Sequence, residues 1–262
     1  MFKLKKSLGQ NLLTDKNIIN KILSIENLKN QNIMEIGPGS GNLTKFIVQK
    51  EINNLLAVEK DVRFAEKLKK DYIGNKKIYI ENKDILKKDL NNISFEDVIV
   101  FGNLPYNIST QILVNFININ KWPPFYKKII FMFQKEVADR ILAKSKTKQY
   151  GRLAILTRYR LDIIQSFSVS KNCFFPIPAI DSKIVVFKPK KDNKYKIKNI
   201  KNLEFITNIF FNNKRKMINK PFEKLFKNYI FVAKKLNIDL NLRPSDLSID
   251  QYYKLVEYYE KN

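Results

Sequence analysis

The chain has 262 residues, 44% of them hydrophobic, which is enough to bury a good core and suits one large domain plus a small one. Lys and Arg number 49 against 25 Asp and Glu, and the resulting formal charge of +24 implies a polyanionic partner, nucleic acid before any other. The chain has no His, which excludes imidazole bases, Ser-His triads and most zinc sites, so no metal is expected.

The single cysteine, Cys173, can form no intrachain disulfide and reads as a small buried apolar residue. The N-terminus is basic but lacks the apolar core of a signal peptide, and no apolar run is long enough to span a bilayer. A cytoplasmic, monomeric protein without membrane contact is the expectation.

Lys3 to Asp15 is a basic arm that reads either as a tail or as a segment folded over a ligand, with Asp15 as N-cap of a helix carrying Ile18, Ile19, Ile22 and Leu23. Asn32 to Thr44 is a strand breaking into a glycine turn that opens a helix. The turn's spacing, from Glu35 through Gly37, Gly39 and Gly41, is E-x-G-x-G-x-G rather than the G-x-G-x-x-G of dinucleotide folds, and favours S-adenosylmethionine over a diphosphate.

A second strand, Leu55 to Glu59, ends in an acidic residue at the distance where nucleoside-binding α/β folds hold ribose hydroxyls, so Glu59 is the ribose candidate. A third strand, Ile78 to Asn82, leads to Asp84, which either accepts from a cofactor adenine amine or merely caps a turn. All these features fall on the carboxyl edge of a doubly wound sheet, where such sheets bind ligands.

The apolar run Val98-Ile99-Val100 leads to Phe101-Gly102-Asn103-Leu104-Pro105-Tyr106-Asn107-Ile108-Ser109. The lone pair of an adenine N6 amine is delocalised into its ring, so the nitrogen becomes nucleophilic only when acceptors hold its N–H groups and turn the lone pair outwards. The Asn103 side-chain oxygen and the Leu104 carbonyl are candidate acceptors, Pro105 fixes the backbone, and Tyr106 offers a stacking face.

A helix from Thr110 to Ile119, a strand from Ile129 to Phe133, a helix opening at Gln134 and a basic, partly apolar helix from Tyr150 through Arg158 follow. Two late strands, near Ile163 to Val169 and Ile184 to Phe187, flank the aromatic-proline loop Asn172 to Ser182. From Lys188 a lysine-rich linker begins, and Leu203 to Phe211, Pro221 to Leu236 and Ile249 to Tyr259 read as helices of a small C-terminal domain. The domains are therefore expected at 1–188 and 189–262. Lys214, Arg215 and Lys216 form a basic patch suited either to RNA phosphates or to a solvated face.

Taken together, these stretches resemble the ribosomal RNA adenine dimethyltransferases, over nearly the whole chain. The resemblance rests on Leu8 to Leu13, Glu35 to Gly41, Phe101 to Thr110, Gln134 to Val137, Tyr150 to Leu153, Phe174 to Ser182 and Leu242-Arg243-Pro244. It implies an α/β, Rossmann-like class I S-adenosylmethionine-dependent methyltransferase sheet with a small all-helical C-terminal domain. The implied activity is N6,N6-dimethylation of two adjacent adenosines near the 3′ end of small-subunit rRNA, in immature small ribosomal subunits.

By the same resemblance Asn11, Leu13, Gly37, Glu59, Asp84 and Asn103 contact S-adenosylmethionine. Asn103, Leu104, Pro105 and Tyr106 hold the target adenine, and Phe174 stacks on its other side. The family usually has Phe at positions 8 and 12, where Leu stands here, and Pro at position 177, where Ile stands. The implied mechanism is direct displacement without a metal or a covalent intermediate. The rivals are a large-subunit rRNA adenine methyltransferase, an N6-adenine DNA methyltransferase, and an assembly or transcription factor that keeps the fold without turnover.

Overall fold

The structure, a computed structural model, describes residue 4 and residues 9–262. Lys3, Lys5, Lys6 and Leu8 of the expected arm lie outside the described residues. Strand β1 (Leu12–Leu13) is followed by α1 (Lys16–Leu23), β2 (Asn32–Ile36), α2 (Thr44–Val48), β3 (Asn54–Glu59), α3 (Val62–Asp71) and β4 (Ile78–Asn82). Asp15 caps α1 by accepting the Ile18 N–H at 2.9 Å. Then come β5 (Val98–Asn103), α4 (Ser109–Ile117), β6 (Tyr126–Gln134), α5 (Lys135–Leu142), α6 (Arg152–Arg160), β7 (Leu161–Val169), β8 (Phe174–Phe175) and β9 (Ser182–Pro189).

Seven strands form one mixed sheet in the order β4-β3-β2-β5-β6-β9-β7. The first five run parallel, and β9 pairs antiparallel with β6. Near-continuous apolar runs such as Val98-Ile99-Val100-Phe101 are what a strand covered on both faces requires. One face packs Ile99, Phe101, Ile130 and Met132 with Ile19, Ile22, Leu23 and Ile47 of α1 and α2. On β6 the alternate residue Phe131 meets Phe116 of α4 edge-on, with ring centroids 5.5 Å apart. Strand order reverses between β2 and β5, so the crevice beyond their carboxyl ends is the topological switch point of the sheet.

The chain divides into two compact units, residues 1–138 with Asp162–Pro189, and Asp139–Leu161 with Lys190–Asn262. The sequence led to a single cut after residue 188. The structure instead groups α6 with the C-terminal helices, because its consecutive residues Ala154, Ile155, Leu156 and Thr157 are all buried. Four consecutive buried residues span a full helical turn, so this stretch needs neighbours on every side. Its Ile155 carbonyl accepts from the Tyr253 hydroxyl at 2.8 Å.

The second unit adds α7 (Ile200–Phe211), α8 (Asn219–Leu225), α9 (Tyr229–Lys235) and α10 (Ile249–Tyr259). The sequence pattern suggested one helix from Pro221 to Leu236, but the backbone turns extended at Phe226. The Phe226 ring packs against Tyr258 and Tyr259 at 5.8 and 6.2 Å, so tertiary contact overrides local periodicity there. The lysine-rich linker is also fastened: Glu257 accepts the Lys196 N–H at 2.5 Å, and Glu260 accepts those of Lys198 and Asn199 at 2.6 and 2.9 Å. No helix among the described residues is long and apolar enough to cross a membrane.

Candidate active site

A cleft opens at the switch point, lined by Asn11, Leu13, Glu35, Gly37, Gly39, Glu59, Lys60, Asp84, Ile85, Asn103, Pro105 and Asn107 among others. The sheet register explains this convergence. Ile36 pairs with Val58 on one side and Gly102 on the other, and Glu59 pairs with Asn82, so the turns after β2, β3, β4 and β5 leave the same edge.

Gly37 and Gly39 adopt φ of +65° and +56°, a region that other L residues seldom enter. A Cβ on Gly39 would also lie 2.8 Å from Leu12 Cδ2. Glu59 holds this turn: its Oε2 accepts the Gly39 N–H at 2.9 Å and its Oε1 the Asp61 N–H at 2.7 Å. Burial pushes its carboxyl up, while those two amides pull it down. Each oxygen keeps a further lone pair.

Behind it, Glu35 is 3% exposed and accepts from the Thr44 hydroxyl at 2.7 Å. Burial lifts the Glu35 carboxyl to about 8, with the neighbouring Glu59 adding to the effect. Sequence reasoning gave Glu35 no role of its own, since nothing local to the motif shows that two carboxyls share the wall.

Asp84 caps a turn at the edge of the cleft. It lines the cleft, yet its side chain also accepts the Leu86 N–H at 3.0 Å and pairs with Lys60 at 2.8 Å. The Lys60 ammonium holds its carboxyl below the usual range.

On the other wall Asn103 donates from Nδ2 to the Asn11 carbonyl at 2.8 Å. That bond fixes the amide's orientation and leaves Oδ1 as an acceptor. Gly102 is needed here because a Cβ would meet Leu104 Cδ2 at 2.6 Å and the Phe131 ring at 3.1 Å. The Leu104 side chain is buried and Tyr106 is half-buried. Asn42 Nδ2 donates to the Leu13 carbonyl at 2.8 Å, and Gln10 Nε2 to Asp61 at 2.9 Å, so residues 10–13 form a fastened wall of the cleft.

Two expected sites differ. Phe174, expected to stack on a base, is 2% exposed and sits in the hydrophobic core with Leu13 and Ile184. It pairs with Leu13 across the β1–β8 ladder, which turns its ring inward and leaves Phe175, 51% exposed, as the loop's outward aromatic. Lys214, expected on RNA, donates instead to the carbonyls of Lys148 and Tyr150 at 2.7 and 2.6 Å. Its burial lowers the ammonium's proton affinity, and only Arg215 and Lys216 of the patch face solvent.

A mixed seven-stranded sheet whose switch-point cleft is built from a glycine turn, a buried acidic strand end and an oriented asparagine is that of a class I S-adenosylmethionine-dependent methyltransferase. Over residues 1–261 the chain matches the family described as ribosomal RNA adenine dimethylase. It is 48% identical to a ribosomal RNA small subunit methyltransferase A of Pelagibacter ubique, covering 98% of this chain and 97% of that one. It is 40% identical to a protein of the same name from Buchnera aphidicola, covering 98% and 93%. A dimethyladenosine transferase from Plasmodium falciparum superposes with a TM-score of 0.80 at 25% identity, covering 95% of this chain and 98% of that one. The chain belongs to the ribosomal RNA adenine dimethylase family and carries its activity, dimethylation of adenine in ribosomal RNA. Use of S-adenosylmethionine goes with that family and fold.

Proposed function

We propose that the chain dimethylates the N6 amines of two adjacent adenosines near the 3′ end of small-subunit rRNA, within immature small subunits, acting as a cytoplasmic monomer. The observation that carries this reading is the Asn103 amide, held by the Asn11 carbonyl so that its oxygen is the free acceptor at the mouth of the cleft. S-adenosylmethionine, when bound, supplies an electrophilic methyl group.

The cleft fits that group. At Gly37 not even an added Cβ would meet a neighbour within 4 Å, so the turn leaves room for a ligand against the backbone. Glu59 retains lone pairs for ribose hydroxyls, and Asp84 retains one for an adenine amine. Asn11, Leu13, Gly37 and Asn103 complete the cofactor's surroundings. Asn103 Oδ1 and the Leu104 carbonyl accept the N–H groups of the target amine, which frees its lone pair for attack. Pro105 fixes the turn and the Tyr106 ring stacks on the base. The rate enhancement then comes from orienting two bound reactants and from acceptors matched to positive charge developing on nitrogen, with no metal and no covalent intermediate. Extracting the adenine from its stack costs a few kcal/mol, offset by stacking and phosphate contacts.

Single-turnover methylation of immature small subunits with a labelled methyl donor tests the reading, followed by mapping of the modified bases. Asn103→Ala should slow transfer by ~10²–10³ while particle binding persists. An unchanged rate refutes the orienting role. A parent protein that binds tightly and never methylates would instead be an assembly factor on a methyltransferase fold.

A further inference from the structure

We infer that Ser182 is a positioning residue for the target base, acting through the Tyr106 ring; the inference rests on the reading of Tyr106 as the stacking face. The Tyr106 hydroxyl and Ser182 Oγ are 2.6 Å apart, at the short end of hydroxyl–hydroxyl hydrogen bonds. The two residues sit on structures of different stiffness. Tyr106 lies in the turn after β5, whose own bonds are the Ile108 N–H to the Pro105 carbonyl at 3.1 Å and Ser109 Oγ to the Tyr106 carbonyl at 3.2 Å. A ring on such a turn swings about two side-chain torsions unless its far end is tied.

Ser182 is fully buried and opens β9, where it pairs with Gln134 of β6. The residue before it is fixed as well. The Asp181 carbonyl accepts the Lys135 N–H at 3.0 Å, and its carboxylate accepts the Lys171 N–H at 2.9 Å. The bond therefore fastens the free end of a turn-borne ring to the interior of the sheet. Two fixed points, the backbone at Pro105 and the hydroxyl at Ser182, set the plane of the ring and hence the plane in which a stacked base must lie. Burial raises the Tyr106 phenol above its ordinary range, so the hydroxyl keeps its proton at neutral pH.

A stacking role alone predicts that Tyr106→Phe is silent. The anchor predicts that it is not, and that Ser182→Ala does the same thing. Each should slow single-turnover methylation roughly 3- to 10-fold, the range for losing one neutral hydrogen bond. Because both variants remove the same bond, the double variant should be no slower than the slower single one. Cofactor affinity should match the parent in all three, as neither side chain lines the cofactor cleft. Ser182→Ala at the parental rate, or a double variant whose losses multiply, overturns the inference while the parent's activity leaves the functional reading standing. A parent that fails to methylate overturns both.

Discussion

Replacing Glu35 by Gln should make the protein more stable at alkaline pH than its parent, and the size of the gain follows from where the carboxyl sits. Glu35 is buried at the end of β2 beside Glu59, and its carboxyl titrates near 8 in the folded chain against a reference value of 4.5. The folded state thus holds a proton that the unfolded state has released. Stability falls as pH rises from about 4.5 through about 8 and is insensitive to this group above that. Gln is neutral at every pH and its amide oxygen still accepts from the Thr44 hydroxyl. At about 1.4 kcal/mol per pH unit, the parent should lose roughly 2–3 kcal/mol relative to the variant between pH 6 and pH 8. For a chain of this size that is a relative Tm shift of roughly 5–10 °C. Calorimetric melts of the ligand-free protein at pH 6, 7 and 8 measure it. A difference between variant and parent that stays constant with pH would show that Glu35 is ionised throughout, and that the glycine turn tolerates two adjacent carboxylates.

Other outcomes follow from the same geometry. Glu59→Gln places an amide N–H₂ opposite one of two backbone N–H groups, so cofactor affinity measured by calorimetry should fall by about 1–3 kcal/mol; parental affinity would remove Glu59 from the site. Arg215→Ala with Lys216→Ala should flatten the salt dependence of rRNA binding by roughly one unit or more in log–log slope, given about 0.7–0.9 per phosphate contact. Lys214→Ala should leave that slope alone and lower the Tm, because its ammonium serves two carbonyls of its own unit; a change of slope without loss of Tm would return Lys214 to the RNA surface.

Much of the cleft was legible because three of its borders are local patterns. The glycine turn, the acidic end of β3 and the run from Phe101 to Ser109 each sit within about ten residues of sequence, and apolar strand runs place all three on one sheet edge. What the pattern could not show is which partner a polar or aromatic group takes from afar. Phe174 and Phe175 are adjacent and chemically identical, and only the pairing of Leu12 and Leu13 with them decides which ring turns inward. Lys214 looks like any surface lysine until residues 148 and 150 bring their carbonyls to it. The arginines of α6 mask a helix in which residues 154–157 and Tyr159 are buried, and its place among the C-terminal helices rests on contacts nearly a hundred residues away.

Residues 10–13 tie the cleft's two halves together. Gln10 bonds Asp61, the residue whose N–H Glu59 accepts; Leu13 offers its carbonyl to Asn42 beside the glycine turn; between them Asn11 fixes the Asn103 amide. On the proposed reading, one four-residue segment borders the methyl donor and also sets the acceptor that readies the amine. Displacing it would therefore cost orientation as well as affinity. An Asn103 amide released from the Asn11 carbonyl can rotate its N–H₂ towards the target amine, where a donor faces a donor and the lone pair is no longer directed. On that reading position 103 should need an asparagine, its nitrogen as much as its oxygen, because an aspartate there would set a carboxylate against the Asn11 carbonyl that now accepts from it.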